Sequence, residues 1–177
     1  MRIVVDCDNV TVDFHHAWKQ AYTEWFDRVP IPTSVDKWDG ITSATHFEGQ
    51  NEFFAWCEKA DVWSQCKWVP GAPGGILQLL DEGHSVRLVT ARHTPKARAH
   101  ASEIAKFLGL PIPTFTEHKW NEKARLYIDD SPHVLQGLTR NGCSSIKFSW
   151  PWNRPTPSTF KASNWHEVLE IVRSVAE

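Results

Sequence analysis

The chain has no Cys-x-x-Cys pair: its four cysteines lie far apart, at 7, 57, 66 and 143. That spacing argues against a zinc ribbon, and free thiols point to an intracellular protein. It has no excess of positive charge. Nineteen Lys and Arg against 21 Asp and Glu leave a formal net charge of −2, so a stable complex with long nucleic acid is not expected. No apolar run approaches the roughly 20 residues of a membrane helix, and the start lacks the apolar stretch of a signal peptide. Repeats, low-complexity tracts and flexible linkers are missing too. The expectation is a cytoplasmic globular protein with no membrane association. Its 177 residues suit one domain, or one domain carrying a sizeable insertion.

What the chain does have is tryptophan, ten in all, with Trp18, Trp25, Trp38, Trp56, Trp63 and Trp68 before residue 70. Such large amphipathic rings either form the core of a small helical unit, the commoner use, or line a pocket for a flat ligand.

Short β-branched runs bounded by polar residues predict strands. Residues 2–7 form the first, followed by 85–89 ending at Thr90, a short one within 111–115, 126–128 ending at Asp129-Asp130, and 145–148. Helical spacing predicts helices over about 11–26, 51–59, from the 70–75 turn to about 82, over 95–108, 131–139 with Ser131 or Asp130 as cap, and from Ser163 or Asn164 to 175. The prolines after Arg28 end the first helix. Residues 33–48, with Asp36, Trp38 and Gly40, carry no secure pattern. The Pro70–Gly75 glycines lack a phosphate-loop lysine and read as a hinge or helix start. Strand and helix alternate, so the fold class is α/β, with a parallel sheet and right-handed crossovers. Residues 15–69 interrupt that alternation as a mostly helical insertion.

Three strands thus end in residues capable of chemistry: Asp6 and Asp8, then Thr90, then Asp129 and Asp130. In a parallel sheet these ends share one edge, where ligands bind. Each acid alone is equally a helix cap. Four carboxylates together would repel one another without a cation, and hard oxygen donors in that number suit Mg²⁺.

Asp6-Cys7-Asp8-Asn9-Val10, the strand-ending Thr90, Lys119 and Tyr127-Ile128-Asp129-Asp130-Ser131-Pro132 resemble the four motifs of the haloacid dehalogenase superfamily of phosphohydrolases. Asp13-Phe14, the Val69-Pro70-Gly71-Ala72 turn, the ten-residue spacing from Lys119 to Asp129, and Asn164-Trp165 extend the resemblance to the 5′(3′)-deoxyribonucleotidases. The resemblance implies a Rossmann-like parallel sheet with helices on both faces. Residues 1–14 and 70–177 would form the catalytic core, and 15–69 a small helical cap after the first strand. It also implies a nucleophilic Asp6 forming an aspartyl-phosphate and an acid–base Asp8. Thr90, the Ala91 backbone and Lys119 would hold phosphate, with Lys123 as a rival lysine. Mg²⁺ would be bound by Asp6, the Asp8 carbonyl and the Asp129/Asp130 pair. Phe14 would contact a nucleotide base, with Trp18 and Trp63, and also Phe47, Phe53 and Trp56, as further candidates from the cap.

Two positions depart from the pattern. Asn9 stands where the family commonly has glycine, and Asn tolerates left-handed backbone. Ala91 stands where the nucleotidases often have serine. Arg92 and His93 either touch phosphate or face solvent. His15-His16 read as surface or structural residues, and Trp150–Arg154 as a loop that borders the site or is an ordinary proline-containing connection. The implied substrate is a 5′ or 3′ nucleoside monophosphate, and the resemblance leaves room for a homodimer. The alternatives are a phosphatase for another small ester or a nucleic-acid 3′ phosphate, and a nucleotide-binding protein without catalysis.

Overall fold

A computed structural model describes residues 1–28, Lys37 and 40–176 of the chain. The proline break after Arg28 and the Asp36 and Trp38 positions lie outside the described residues.

Strand β1 (Arg2–Val5) is the centre of the molecule. Its Ile3, Val4 and Val5 are completely or almost completely buried, each worth roughly 1.5–3 kcal/mol against exposure. The later elements are β2 (Val12–Asp13), α1 (Phe14–Phe26), α2 (Gly40–Ala44), α3 (Gln50–Ala60), β3 (Lys67–Trp68), α4 (Ala72–Asp81), β4 (Ser85–Thr90) and α5 (Pro95–Phe107). They are followed by β5 (Thr114–Phe115), β6 (Leu126–Asp129), α6 (Pro132–Arg140), β7 (Ser145–Phe148), β8 (Phe160–Ala162) and α7 (Trp165–Ala176). The main sheet runs β5-β4-β1-β6-β7-β8, every pair parallel. β1 is therefore flanked by β4 and β6, the two other strands whose ends carry candidate residues. A parallel sheet buries both faces, and the residues of β1 alternate accordingly. Ile3 and Val5 pack with residues of α4, α5 and α7, while Val4 packs with Val134 and Leu138 of α6.

Most element boundaries follow the sequence pattern, and three findings differ. The first helix begins at Phe14, not near Thr11, because Val12 and Asp13 pair antiparallel with Trp68 and Lys67. Asp13 then caps the helix, accepting from the His16 N–H at 2.8 Å. β8 was not anticipated; its three residues are too few to show a period. The Pro70–Gly75 turn is a helix start: Gly71 is left-handed, and Gly75 lets Trp165 of α7 approach so closely that a Cβ there would sit 2.5 Å from the indole.

Most of the tryptophan-rich segment has its own core. Phe14, Trp18, Tyr22, Phe47, Phe53, Trp56, Val62 and Trp63 bury one another between α1, α2, α3 and the turn at Val62–Gln65, joined by Ala97 of α5. Their contacts are mainly edge-to-face or tilted, as for Trp18 on Phe53 at 5.6 Å and 87°. Trp25 is left half exposed. Among the described residues no helix is long and apolar enough to cross a membrane.

Candidate active site

β1 stops at Val5 because Asp6 turns into a tight loop. The Asp6 N–H still reaches the Ile128 carbonyl of β6 at 2.9 Å, and Thr11 Oγ1 donates to the Asp6 carbonyl at 2.7 Å. Asn9, at φ 58°, takes the left-handed conformation that a glycine would adopt. Its side chain then does what glycine could not. Nδ2 donates to Asp130 Oδ2 at 3.2 Å, and Oδ1 accepts from the His15 N–H at 2.9 Å. The departure at this position thus ties the loop after β1 to the loop after β6 and to the start of α1.

Asp6, Asp129 and Asp130 converge so that one carboxylate oxygen of each lies within 4.8 Å of the others, all buried. Lys119, in the turn Lys119–Asn121 and also buried, donates to Asp6 Oδ1 and, at 2.7 Å, to Asp129 Oδ2. Asp129 Oδ1 accepts from the Ser131 N–H at 2.9 Å. Asp130 Oδ2 accepts from Trp152 Nε1 at 3.2 Å as well as from Asn9, and the Asn153 amide donates to the Asp130 carbonyl at 2.8 Å.

One lysine does not neutralise three buried carboxylates. Burial raises the Asp6 pKa to about 7; Lys119 opposes the shift, and Asp129 and Asp8 add to it. Asp130 is also raised, by burial and then by Asp6 and Asp129. Burial disfavours the charged form of Lys119, but Asp129 and Asp6 outweigh that and hold it protonated. The donor set and its charge imbalance fit a hard divalent cation.

Thr90, ending β4, is buried beside this group. Asp6, Asp8, Thr90, Ala91, Lys119 and Asp130 line one cleft of about 460 Å³, together with Phe14, Trp18 and Trp63. All the principal residues singled out from the sequence are therefore brought to one place, although Asp129 joins the group through the carboxylate cluster and Lys119 without lining the cleft itself. Lys123, the rival lysine, is exposed, and its main-chain carbonyl accepts from Arg2 on the surface. Phe47, Phe53 and Trp56 are not among the cleft residues; they belong to the aromatic core. Phe14 and Trp63 stack on each other at 4.6 Å and 9°.

Four lining residues were not legible as such. His15 lines the cleft, packs edge-on to Trp18 and lies 5.0 Å from Trp152. Burial lowers its pKa to about 4, followed by Lys19, so it is neutral. Phe54 enters the cleft where its neighbour Phe53 does not, a difference that helical phase alone could have suggested. Trp152 stacks on Trp150 at 4.9 Å, and Trp150 Nε1 donates to the Asn9 carbonyl at 2.8 Å, so this loop braces the site. Arg92 neither faces solvent nor points at the acid cluster. Its Nη2 and Nε bond to Asp8 at 2.6 and 3.0 Å.

The fold is shared with solved structures over nearly its whole length. A haloacid dehalogenase-like family hydrolase from Streptococcus pneumoniae superposes with a TM-score of 0.65 at 15% identity, covering 97% of each chain. A "predicted phosphatase" from Clostridium acetobutylicum gives 0.68 at 15% identity, covering 98% of each. At such identity these likenesses show the fold alone, which is of the haloacid dehalogenase-like class. Within that class, the family described as "5' nucleotidase, deoxy (Pyrimidine), cytosolic type C protein" matches residues 1–177, and the chain belongs to it. It is accordingly a phosphoric monoester hydrolase. A protein of Chlorobaculum tepidum named "Putative 5'(3')-deoxyribonucleotidase" is 29% identical over 97% of this chain and 90% of its own length.

Proposed function

We propose that this nucleotidase-family enzyme removes phosphate from 5′ or 3′ (deoxy)nucleoside monophosphates by a Mg²⁺-dependent route through a phosphorylated Asp6. The observation that carries the reading is the buried Asp6, Asp129 and Asp130 group beside Lys119 at the carboxyl edge of β1.

In the first half-reaction a carboxylate oxygen of Asp6 attacks phosphorus and the bond to the nucleoside oxygen breaks. Asp8 gives its proton to that departing oxygen. In the second, a water attacks the acyl phosphate and Asp8 takes its proton. Orthophosphate leaves, and Asp6 is regenerated. Lys119, Thr90 and the Ala91 N–H hold the phosphate oxygens and offset charge as the transfer proceeds. Lys119 reaches Asp6 directly, so the same cation can steady the nucleophile before transfer and the phosphoryl oxygens after it.

Mg²⁺ supplies further charge neutralisation on the phosphate oxygens when bound by Asp6, the Asp8 carbonyl and the Asp129/Asp130 pair. Of that pair Asp130 is the better candidate for direct ligation. Both oxygens of Asp129 already accept, from Lys119 and from Ser131, whereas the donors to Asp130 fall on Oδ2.

The helical unit within 15–69 acts as a cap over the cleft, and closure there would exclude water during transfer. The base would meet Phe14, Trp18 and Trp63, with His15 and Phe54 beside them. The "cytosolic" of the family description and the four free thiols support a cytoplasmic place of action.

The test is phosphate release from dUMP, dTMP, their 3′ isomers and a panel of sugar phosphates, with Mg²⁺ and with chelator. Turnover of nucleotides that stops with chelator and in Asp6→Asn is expected. A preference for sugar phosphates, or an active Asp6→Asn protein, would overturn the reading.

A further inference from the structure

Arg92 is almost wholly buried, and each of its side-chain nitrogens has a partner. Nε lies 3.0 and 3.2 Å from the two oxygens of Asp8, and Nη2 lies 2.6 Å from Oδ1. On the far side Nη1 donates to the Ala97 carbonyl at 3.2 Å and meets His100 Nδ1 at 3.0 Å. Burial, then the guanidinium itself, lowers the His100 pKa to about 4, so the ring is neutral and Nδ1 can accept. The guanidinium carbon also sits 4.9 Å from the centre of the Trp63 ring, which stacks on Phe14.

A rigid five-donor fork held at its rear leaves Asp8 one favoured orientation. A carboxylate that must meet a leaving oxygen and then a water needs that orientation set to within a fraction of an ångström. Asp8 is the more exposed partner, so its free edge faces the cleft. Trp63 comes from the aromatic segment, so the ring that borders the cleft and the cation that grips Asp8 are in contact.

We propose that Arg92 is the positioning residue for Asp8, and that Trp63 holds Arg92 in place, so that the aromatic unit helps set the acid–base carboxylate. The inference rests on the reading of Asp8 as the proton carrier. It predicts a signature of the leaving group. A nucleoside alkoxide needs a proton to depart; p-nitrophenolate does not. A defect in acid placement should therefore show mainly with nucleotides.

The experiment compares kcat/KM for dTMP and p-nitrophenyl phosphate in Mg²⁺ for Arg92→Gln, Arg92→Lys, Trp63→Leu and Asp8→Asn, because kcat/KM covers the steps through loss of the leaving group and leaves out the water step that Asp8 serves for both substrates. Positioned acid–base groups are worth about 10²–10⁴-fold. Arg92→Gln should lower kcat/KM on dTMP by about 100-fold and on p-nitrophenyl phosphate by less than about tenfold. Arg92→Lys keeps the charge without the fork and should fall between wild type and Arg92→Gln, with Trp63→Leu showing the same bias more weakly. Because Arg92→Gln is the variant most exposed to misfolding, Arg92→Lys decides if it cannot be purified. Equal losses of kcat/KM on both substrates would overturn the proposal. If Asp8→Asn shows the bias and the Arg92 variants do not, only the positioning role falls. If Asp8→Asn shows no bias, the reading of Asp8 fails and takes the inference with it.

Discussion

Lys119 donates to Asp129 Oδ2 at 2.7 Å from a position that solvent barely reaches. The same ammonium also binds Asp6. This lysine is therefore part of the structure as well as a candidate phosphate ligand. Breaking a buried pair from one side leaves unpaired charge at a cost of about 3–5 kcal/mol. Lys119→Met in chelator should lose about that much by urea unfolding. Added Mg²⁺ should recover a good part of it, since a cation that binds only the native cluster stabilises by mass action.

The raised Asp6 pKa makes a statement about pH. Its folded value, about 7, lies above the ordinary 3.8. A group raised in this way contributes stability below the unfolded value and loses it as pH rises through the folded one. His15 and His100, lowered to about 4, act in the opposite sense below their ordinary value of 6.5. The comparison that isolates Asp6 is therefore with Asp6→Asn. In chelator the two proteins should be nearly equal in stability near pH 4. The variant should gain relative to wild type as pH rises to 7, by a few kcal/mol in total. Urea midpoints across that range measure it. Mg²⁺ should reverse the order at pH 7, because only the wild type offers the full set of charged ligands.

Asn9 combines a left-handed backbone with two side-chain hydrogen bonds. Asn9→Gly keeps the first and loses the second; Asn9→Ala loses both. Alanine pays about 1–2 kcal/mol for the backbone alone, so the alanine protein should be the less stable of the two by about that amount. Thermal unfolding of the pair separates the two contributions.

Trp152 and Asn9 both donate to Asp130 Oδ2. Partners of a metal ligand commonly change affinity 10–100-fold when removed. Trp152→Phe keeps the ring and loses the donor, so Mg²⁺ should bind about tenfold more weakly by calorimetry. Trp165→Phe, which loses a donor to the Val10 carbonyl rather than to Asp130, serves as the comparison and should leave Mg²⁺ affinity within about threefold.

The alternation of elements was legible because each strand is a short β-branched run with a polar stop, and because helices such as Pro95–Phe107 and Pro132–Arg140 open on proline and follow a 3.6-residue apolar period. Ser131 as the cap of α6 was legible for the same local reason: its hydroxyl accepts from Val134 N–H three residues on. The two-residue pairing of Val12–Asp13 with Lys67–Trp68 was not, since its partners are more than fifty residues apart and neither has a period to read.

The site divides along the same line. Asp6, Asp8, Thr90 and the Asp129-Asp130 pair were determined by the sequence alone, because strand ends in a parallel sheet meet at one edge whatever their connections. Which groups face them was decided only by tertiary structure. The grip of Arg92 on Asp8, the pairing of Lys119 with both Asp6 and Asp129, and the donors that Trp152 and Asn9 bring to Asp130 depend on where loops from separate parts of the chain come to rest. The same holds for the tryptophans: their number announces a large apolar mass, but packing decides that Trp56 fills the core while Trp18 and Trp63 also border the cleft. Periodicity records the face a side chain points to within its own element; it carries no record of what stands opposite.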